Sequence, residues 1–276
     1  MATKLKNHVE RFEGMTDFLS ALPVETDKFK GGDSWTNGEK YTESRKLCFY
    51  GWQKSVTSAE SMIDSIESAG ILTRGTAAYR RDVAGAFPNV PAFLAGEPES
   101  MWRRDMIDAA LSEQAPMNIY LDVCCSGGIT ASQVEARGHA VIALVMALSE
   151  RRPVELYLYS GMGNDDVAFI PVVKIETKPL DIAAASYAIA SSGFMRNLCF
   201  TYADMKSRAL YGRNWQGHWA WNLSPRSEPY RKQIQSALNI TDSDLIIYGG
   251  HLQESSIREP VKWVKEQLEL HMPNLE

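Results

Sequence analysis

The chain has 276 residues, 45% apolar and 23% charged, with a formal net charge of −5. That length holds one large domain or two small ones, and the apolar share is ordinary for a globular core. The acidic total excludes a generally basic nucleic-acid coat, and no run approaches the roughly 20 apolar residues of a membrane span.

The first residues, MATKLKNHVERFEG, lack the apolar run of a secretory signal, so a cytoplasmic protein is expected. Residues 1–50 read as polar and irregular, with an exposed loop at KGGDSWTNGEKYTESRK. Thr57-Ser58-Ala59-Glu60 has the form of a capping box and predicts a helix start. That helix would carry Met62, Ile63 and Ile66 on one face and stop at Gly70. VAGAFPNVPAFLAGEP, residues 83–98, is too apolar for disorder and reads as a packed irregular segment.

The second half alternates strands and helices. Asn118–Val123, Val154–Tyr159, Phe169–Ile175, Asn197–Tyr202 and Leu245–Tyr248 read as short apolar strands. Pro171 predicts an edge position or a bulge. Residues 137–152 predict a helix buried on more than one side, 181–190 a second helix, and Pro260 opens a last one. The expected fold is α/β: a mostly parallel sheet with helices on both faces, core at 117–276, and an irregular N-terminal extension, 1–116, packed on it. Leu121, Leu156, Val173, Phe200 and Ile246 are placed on central strands.

Asp122-Val123-Cys124-Cys125-Ser126 ends the first strand of that sheet, where open parallel sheets bind ligands. The pattern resembles the DxSxS metal motif of von Willebrand factor A domains. Cys124 stands where the first Ser belongs, and a thiol is a poor ligand for a hard cation. The resemblance therefore implies a divergent A-like core without a working metal site at Asp122 and Ser126. Cys48, Cys124, Cys125 and Cys199 form no CxxC pair, so buried thiols are expected rather than zinc. Asp165 and Asp166 read as a solvated turn. His8, His139, His218, His251 and His271 have no ligand or triad spacing, and His139 reads as a satisfied core or cap residue. No catalytic constellation, metal or cofactor is expected.

The segment YGRNWQGHWAWNLSPRSEPYRK, residues 211–232, has a composition unlike the rest. Three of the seven tryptophans, Trp215, Trp219 and Trp221, fall within it. They are interleaved with Arg213, His218, Arg226, Arg231 and Lys232, and flanked by Tyr211 and Tyr230. From Arg196 to Lys232 there are seven cations against two acids, a net +5 in a chain whose total is −5. Indole N–H groups and arginines are awkward in a core but suit a single strand, which offers bases to stack and phosphates to pair. The competing reading is an aromatic loop packed on the sheet with its arginines reaching solvent.

RDVAGAFPNVPAFLAGEPESMWRR, with the later ARGHAVIALVMALSERRPVELYLY, resembles a family of uncharacterised phage proteins. The shared positions include Val83-Ala84-Gly85-Ala86, Pro88, Val90, Leu94-Ala95-Gly96, Pro98 and Met101. Arg137-Gly138, Ala140, Ala143-Leu144 and Leu148 continue them. Through a single-stranded-DNA-binding RNA polymerase cofactor of podoviruses with a non-virion polymerase, the resemblance implies a transcription cofactor. Its partners would be single-stranded DNA and a phage RNA polymerase, in the host cytoplasm. It supplies no binding residue. The alternative is an A-domain-like interaction adaptor without nucleic-acid contact; an enzyme using Asp122 and Ser126 is a third reading.

Overall fold

A computed structural model of the chain describes residues 6–26, 36, 38–71, 79–84, 87–88, 90–104, 116–125, 128–149, 152–163, 167–177, 180–214, 228–249 and 258–271. Its strands are β1 (Lys6–Phe12), β2 (Tyr79–Asp82), β3 (Phe87–Pro88), β4 (Met101–Arg104), β5 (Met117–Asp122), β6 (Val154–Tyr159), β7 (Met162–Gly163), β8 (Val167–Ile175) and β9 (Leu245–Ile247). The helices are α1 (Met15–Ser20), α2 (Tyr41–Tyr50), α3 (Gln53–Ser68), α4 (Val90–Leu94), α5 (Ala131–Ser149), α6 (Ile182–Ala190), α7 (Phe200–Tyr211), α8 (Glu228–Leu238) and α9 (Pro260–His271). A π-helical segment, Phe194–Cys199, runs directly into α7.

The main sheet has the order β1–β8–β6–β5–β9, with β7 added to β8. β6, β5 and β9 are mutually parallel, as are β1 and β8, and the two groups meet at the antiparallel β6–β8 ladder. The fold is thus α/β, as the alternation of elements predicts. β2, β4 and β3 form a separate antiparallel sheet.

Period-2 alternation divides the main sheet into two apolar faces. Ile119, Leu121, Leu156, Leu158, Phe169 and Val173 join the larger core with residues of α3, α5, α6, α7 and α9. Tyr120, Tyr159, Ile170 and Val172 face Ile234 and Leu238 of α8. Among the described residues, no helix is long and apolar enough to cross a membrane.

Several expectations change. Residues 197–202 are not a strand: Asn197–Cys199 belong to the π-helical segment, and Phe200 and Tyr202 to α7. Every residue from Ala185 to Asp204 is buried, and a short run buried all round has no period that separates strand from helix. The described part of the first 50 residues is not irregular either, since β1 pairs with β8 along its whole length and α1 and α2 follow. The polar residues of β1 have tertiary partners: His8 bonds the Tyr211 hydroxyl at 2.7 Å, and Glu10 accepts from the Tyr202 hydroxyl at 2.7 Å.

The capping-box reading at Thr57 fails because α3 already begins at Gln53. The box that is used lies at Thr130 and Gln133, ahead of α5. There the Thr130 N–H donates to Gln133 Oε1 (3.0 Å) and the Gln133 N–H to Thr130 Oγ1 (3.3 Å). Pro171 lies inside the sheet, between β1 and β6, not on its edge. Its carbonyl accepts from the Ser160 N–H at the corner where β6 gives way to β7, so the imino nitrogen faces an interrupted ladder. Residues 93–99 are exposed, against the packed segment expected at 83–98.

Gly138 sets the approach of α5 to α6. A Cβ there would lie 2.3 Å from the Ala190 Cβ and 2.4 Å from its Cα. Gly138→Ala is therefore expected to push the helices apart and cost about 1–3 kcal/mol, measured as a lower urea midpoint at unchanged slope.

Candidate functional site

Asp122 ends β5, the strand between β6 and β9, and is buried. Its Oδ1 accepts the Cys124 N–H at 2.9 Å. Arg137, also buried, reaches across from α5 and donates to the Asp122 carbonyl and the Tyr248 carbonyl, each at 3.2 Å. The guanidinium thereby joins the carboxyl ends of β5 and β9. Gly249 closes the same junction: a Cβ there would fall 1.9 Å from the Cys124 carbonyl oxygen. Desolvation raises the Asp122 carboxyl to about 6, with the Cys124 N–H and the Arg137 charge opposing the rise.

Beside it, Cys124 Sγ lies 3.1 Å from Ser160 Oγ and is buried. Burial, with the neighbouring Asp122, pushes this thiol well up. Burial likewise raises Cys48, Cys125 and Cys199. The four are free and buried, as expected, and thiols so held protonated are poor nucleophiles. Arg196, from the π-helical segment, donates to the Ile129 carbonyl at 3.0 Å and reaches Cys125 Sγ at 3.6 Å. Ser126, Asp165 and Asp166 lie outside the described residues. Among the described residues, no group of three or more His, Cys, Asp or Glu is placed to hold a metal. The groups around Asp122 are thus committed to one another.

The aromatic-basic segment is described only at its borders. Tyr211 ends α7, and its ring meets Phe169 edge-on at 6.3 Å. Gly212 caps α7 in the left-handed region (φ 65°), where a residue with a side chain is strained. Arg213 follows and is exposed. Trp215, His218, Trp219, Trp221 and Arg226 lie outside the described residues. Tyr230 and Arg231 lie in the first turn of α8, and Lys232 follows them and is exposed. His139, read as a satisfied core residue, bonds Ser55 Oγ through Nε2 at 2.6 Å from within α5.

Sequence reasoning missed Arg137, Ser160, Arg196 and Gly249. The signal for Arg137 was its place at the head of an otherwise apolar run, where a charge must be compensated. Ser160 and Arg196 come from distant elements and leave no local pattern.

The chain belongs to a family described as a domain of unknown function (DUF7192), whose model matches residues 2–272. No curated protein and no solved structure matches it.

Two outcomes are expected at Asp122. Its folded value lies above the unfolded one near 3.8, so between them the folded state keeps a proton that the unfolded state has lost. Stability should therefore fall as pH rises from about 4 to about 6 and stay lowered above, by about 3 kcal/mol from this group. Asp122→Asn should flatten that part of the profile in urea unfolding at stepped pH. Millimolar magnesium should leave the melting temperature unchanged, because a cation there would compete with the Arg137 charge. An upward shift that disappears in Asp122→Ala would show that the site takes a cation.

Proposed function

We propose that this is a non-enzymatic single-stranded-DNA-binding protein that uses residues 211–232 and assists a phage RNA polymerase at melted promoters. One observation carries the reading: three tryptophans and a net positive charge are concentrated between two exposed cations, Arg213 and Lys232. Trp215, Trp219, Trp221 and Tyr230 would stack bases. Arg213, Arg226, Arg231 and Lys232 would contact phosphate, and His218 sits among them. A duplex hides its base faces, so selectivity for open strands follows. The polymerase partner and the host-cytoplasmic setting rest on the resemblance to the phage family. The protonated, buried thiols around Asp122 agree with a non-enzymatic role.

A second reading has its own support. Among β8, β6, β5 and β9 only β8 runs in reverse, and Asp122 closes β5, between β6 and β9. That order favours a von Willebrand factor A-like adaptor core without nucleic-acid contact.

The two separate in a titration with single- and double-stranded oligonucleotides. Losing one stacking face should cost about 1–3 kcal/mol, roughly tenfold to a hundredfold in affinity. With about four phosphate contacts, log affinity against log salt should have a slope near −3. Trp219→Ala is expected to weaken binding at an unchanged slope, and Arg231→Ala to flatten the slope by about 0.7. Each variant must first melt as the parent does. If both then bind single strands as well as the parent, the segment is structural and the adaptor reading replaces this one.

A further inference from the structure

The small antiparallel sheet gathers its loops at one end. β2 ends at Asp82 and β3 at Pro88, and both stand opposite Met101, where β4 begins. The chain leaving β2 and the segment between β3 and β4 therefore emerge from the same end. From Asp82 to Met101 the sequence carries three carboxylates, Asp82, Glu97 and Glu99, and no Lys, Arg or His. Only Asn89 and Ser100 are polar among the rest. Arg80, Arg81, Arg103 and Arg104 stand at register positions behind that end.

The run is apolar enough to be expected in a core, yet its large side chains meet solvent. Val83 is 69% exposed, Phe93 64% and Leu94 78%. Ala84, Ala95 and Pro98 are exposed with them. A closed helix end fixes where Phe93 and Leu94 stand. Gly96 takes the left-handed conformation (φ 73°), its N–H donates to the Phe93 carbonyl at 3.1 Å, and the Glu97 N–H donates to the Ala92 carbonyl at 3.0 Å. Ala92 beneath them is buried.

Singly exposed apolar residues are ordinary, whereas several on the loops of one small sheet mark a contact surface. Charge selects the occupant. Three carboxylates without a cation repel nucleic acid and an anionic lipid surface. A second copy presenting the same end would set carboxylates against carboxylates. An apolar groove rimmed by Lys and Arg matches both the side chains and the charge.

We infer that the loop end of the small sheet, with Val83, Phe93 and Leu94 exposed beside Asp82, Glu97 and Glu99, docks into a basic-rimmed apolar groove of a partner protein. It uses no residue of 211–232 and stands or falls independently of that segment.

The test is a fluorescence-anisotropy titration of the full-length protein with a labelled amphipathic peptide of Leu and Lys, which presents an apolar stripe bordered by cations. A peptide with Glu in place of each Lys is the charge control. The parent should bind the Leu/Lys peptide and not the Leu/Glu one. Phe93→Ser with Leu94→Ser should weaken binding roughly tenfold or more. Glu97→Gln with Glu99→Gln should weaken it about threefold at low salt and less at high salt. This conservative pair supplies the reading should the apolar variant fail to fold. Phe49→Ser with Tyr50→Ser removes two exposed rings elsewhere and should bind as the parent does. Parent-like binding by folded Phe93→Ser/Leu94→Ser and Glu97→Gln/Glu99→Gln overturns the inference. Equal losses from the 49/50 and 93/94 pairs also overturn it, because the peptide would then report general stickiness. Equal binding of the Leu/Glu peptide removes the basic rim and overturns it too. If sedimentation shows a dimer that Phe93→Ser/Leu94→Ser converts to monomer, the occupant is a second copy and the partner groove is wrong.

Discussion

Arg137 is a buried charge at the carboxyl ends of β5 and β9, and the surrounding strands and helices are arranged around satisfying it. Taking a guanidinium out of water costs several kcal/mol unless carbonyls and a countercharge replace the lost hydration. Here the carbonyls of Asp122 and Tyr248 accept its N–H groups and the Asp122 carboxyl lies nearby. Those carbonyls terminate β5 and follow β9, so compensating the charge also fixes the spacing of two strands. Gly249 then lets the two chain segments approach where no side chain would fit.

The next two residues of α5 extend that constraint. Successive helical residues point about 100° apart, so one turn addresses three directions. Arg137 faces the strand ends, Gly138 admits Ala190 of α6, and His139 bonds Ser55 of α3. This three-residue stretch therefore joins the sheet and two helical layers. A slip of one position along α5 would break all three contacts together, which is how a nearly all-apolar helix acquires a defined rotation. Apolar burial supplies most of the attraction but is indifferent to rotation; the polar contacts are not.

Among the described residues, the same compensation commits the polar groups at the strand ends to one another. Asp122 is committed to Cys124 and the Arg137 charge, Cys124 to Ser160, and Arg196 to the Ile129 carbonyl and Cys125. Desolvation holds the thiols protonated. The stretch whose composition stands apart is the tryptophan-arginine segment bordered by Arg213 and Lys232.

The α/β class, β5, β6, β8, β9 and the helices at 182 and 260 were legible in the sequence, because each carries its own period, proline or capping residue. So were the burial of the cysteines and the satisfied state of His139. Local pattern failed where an element's character is supplied by distant partners. β1 looks polar because His8 and Glu10 are matched by Tyr211 and Tyr202, some two hundred residues away. Phe200 and Tyr202 sit in a helix rather than a strand because burial on every side removes the period that would tell the two apart. Thr57 and Thr130 both begin capping-box patterns, but α3 starts at Gln53 and leaves Thr57 inside a helix, whereas Thr130 stands directly before one. The concentration of tryptophan and arginine at 211–232 was a matter of composition and needed no fold to be seen. The pairing of Tyr79 with Arg104 and of Arg81 with Trp102 required strand register, a long-range hydrogen-bonding choice that no local run of residues encodes.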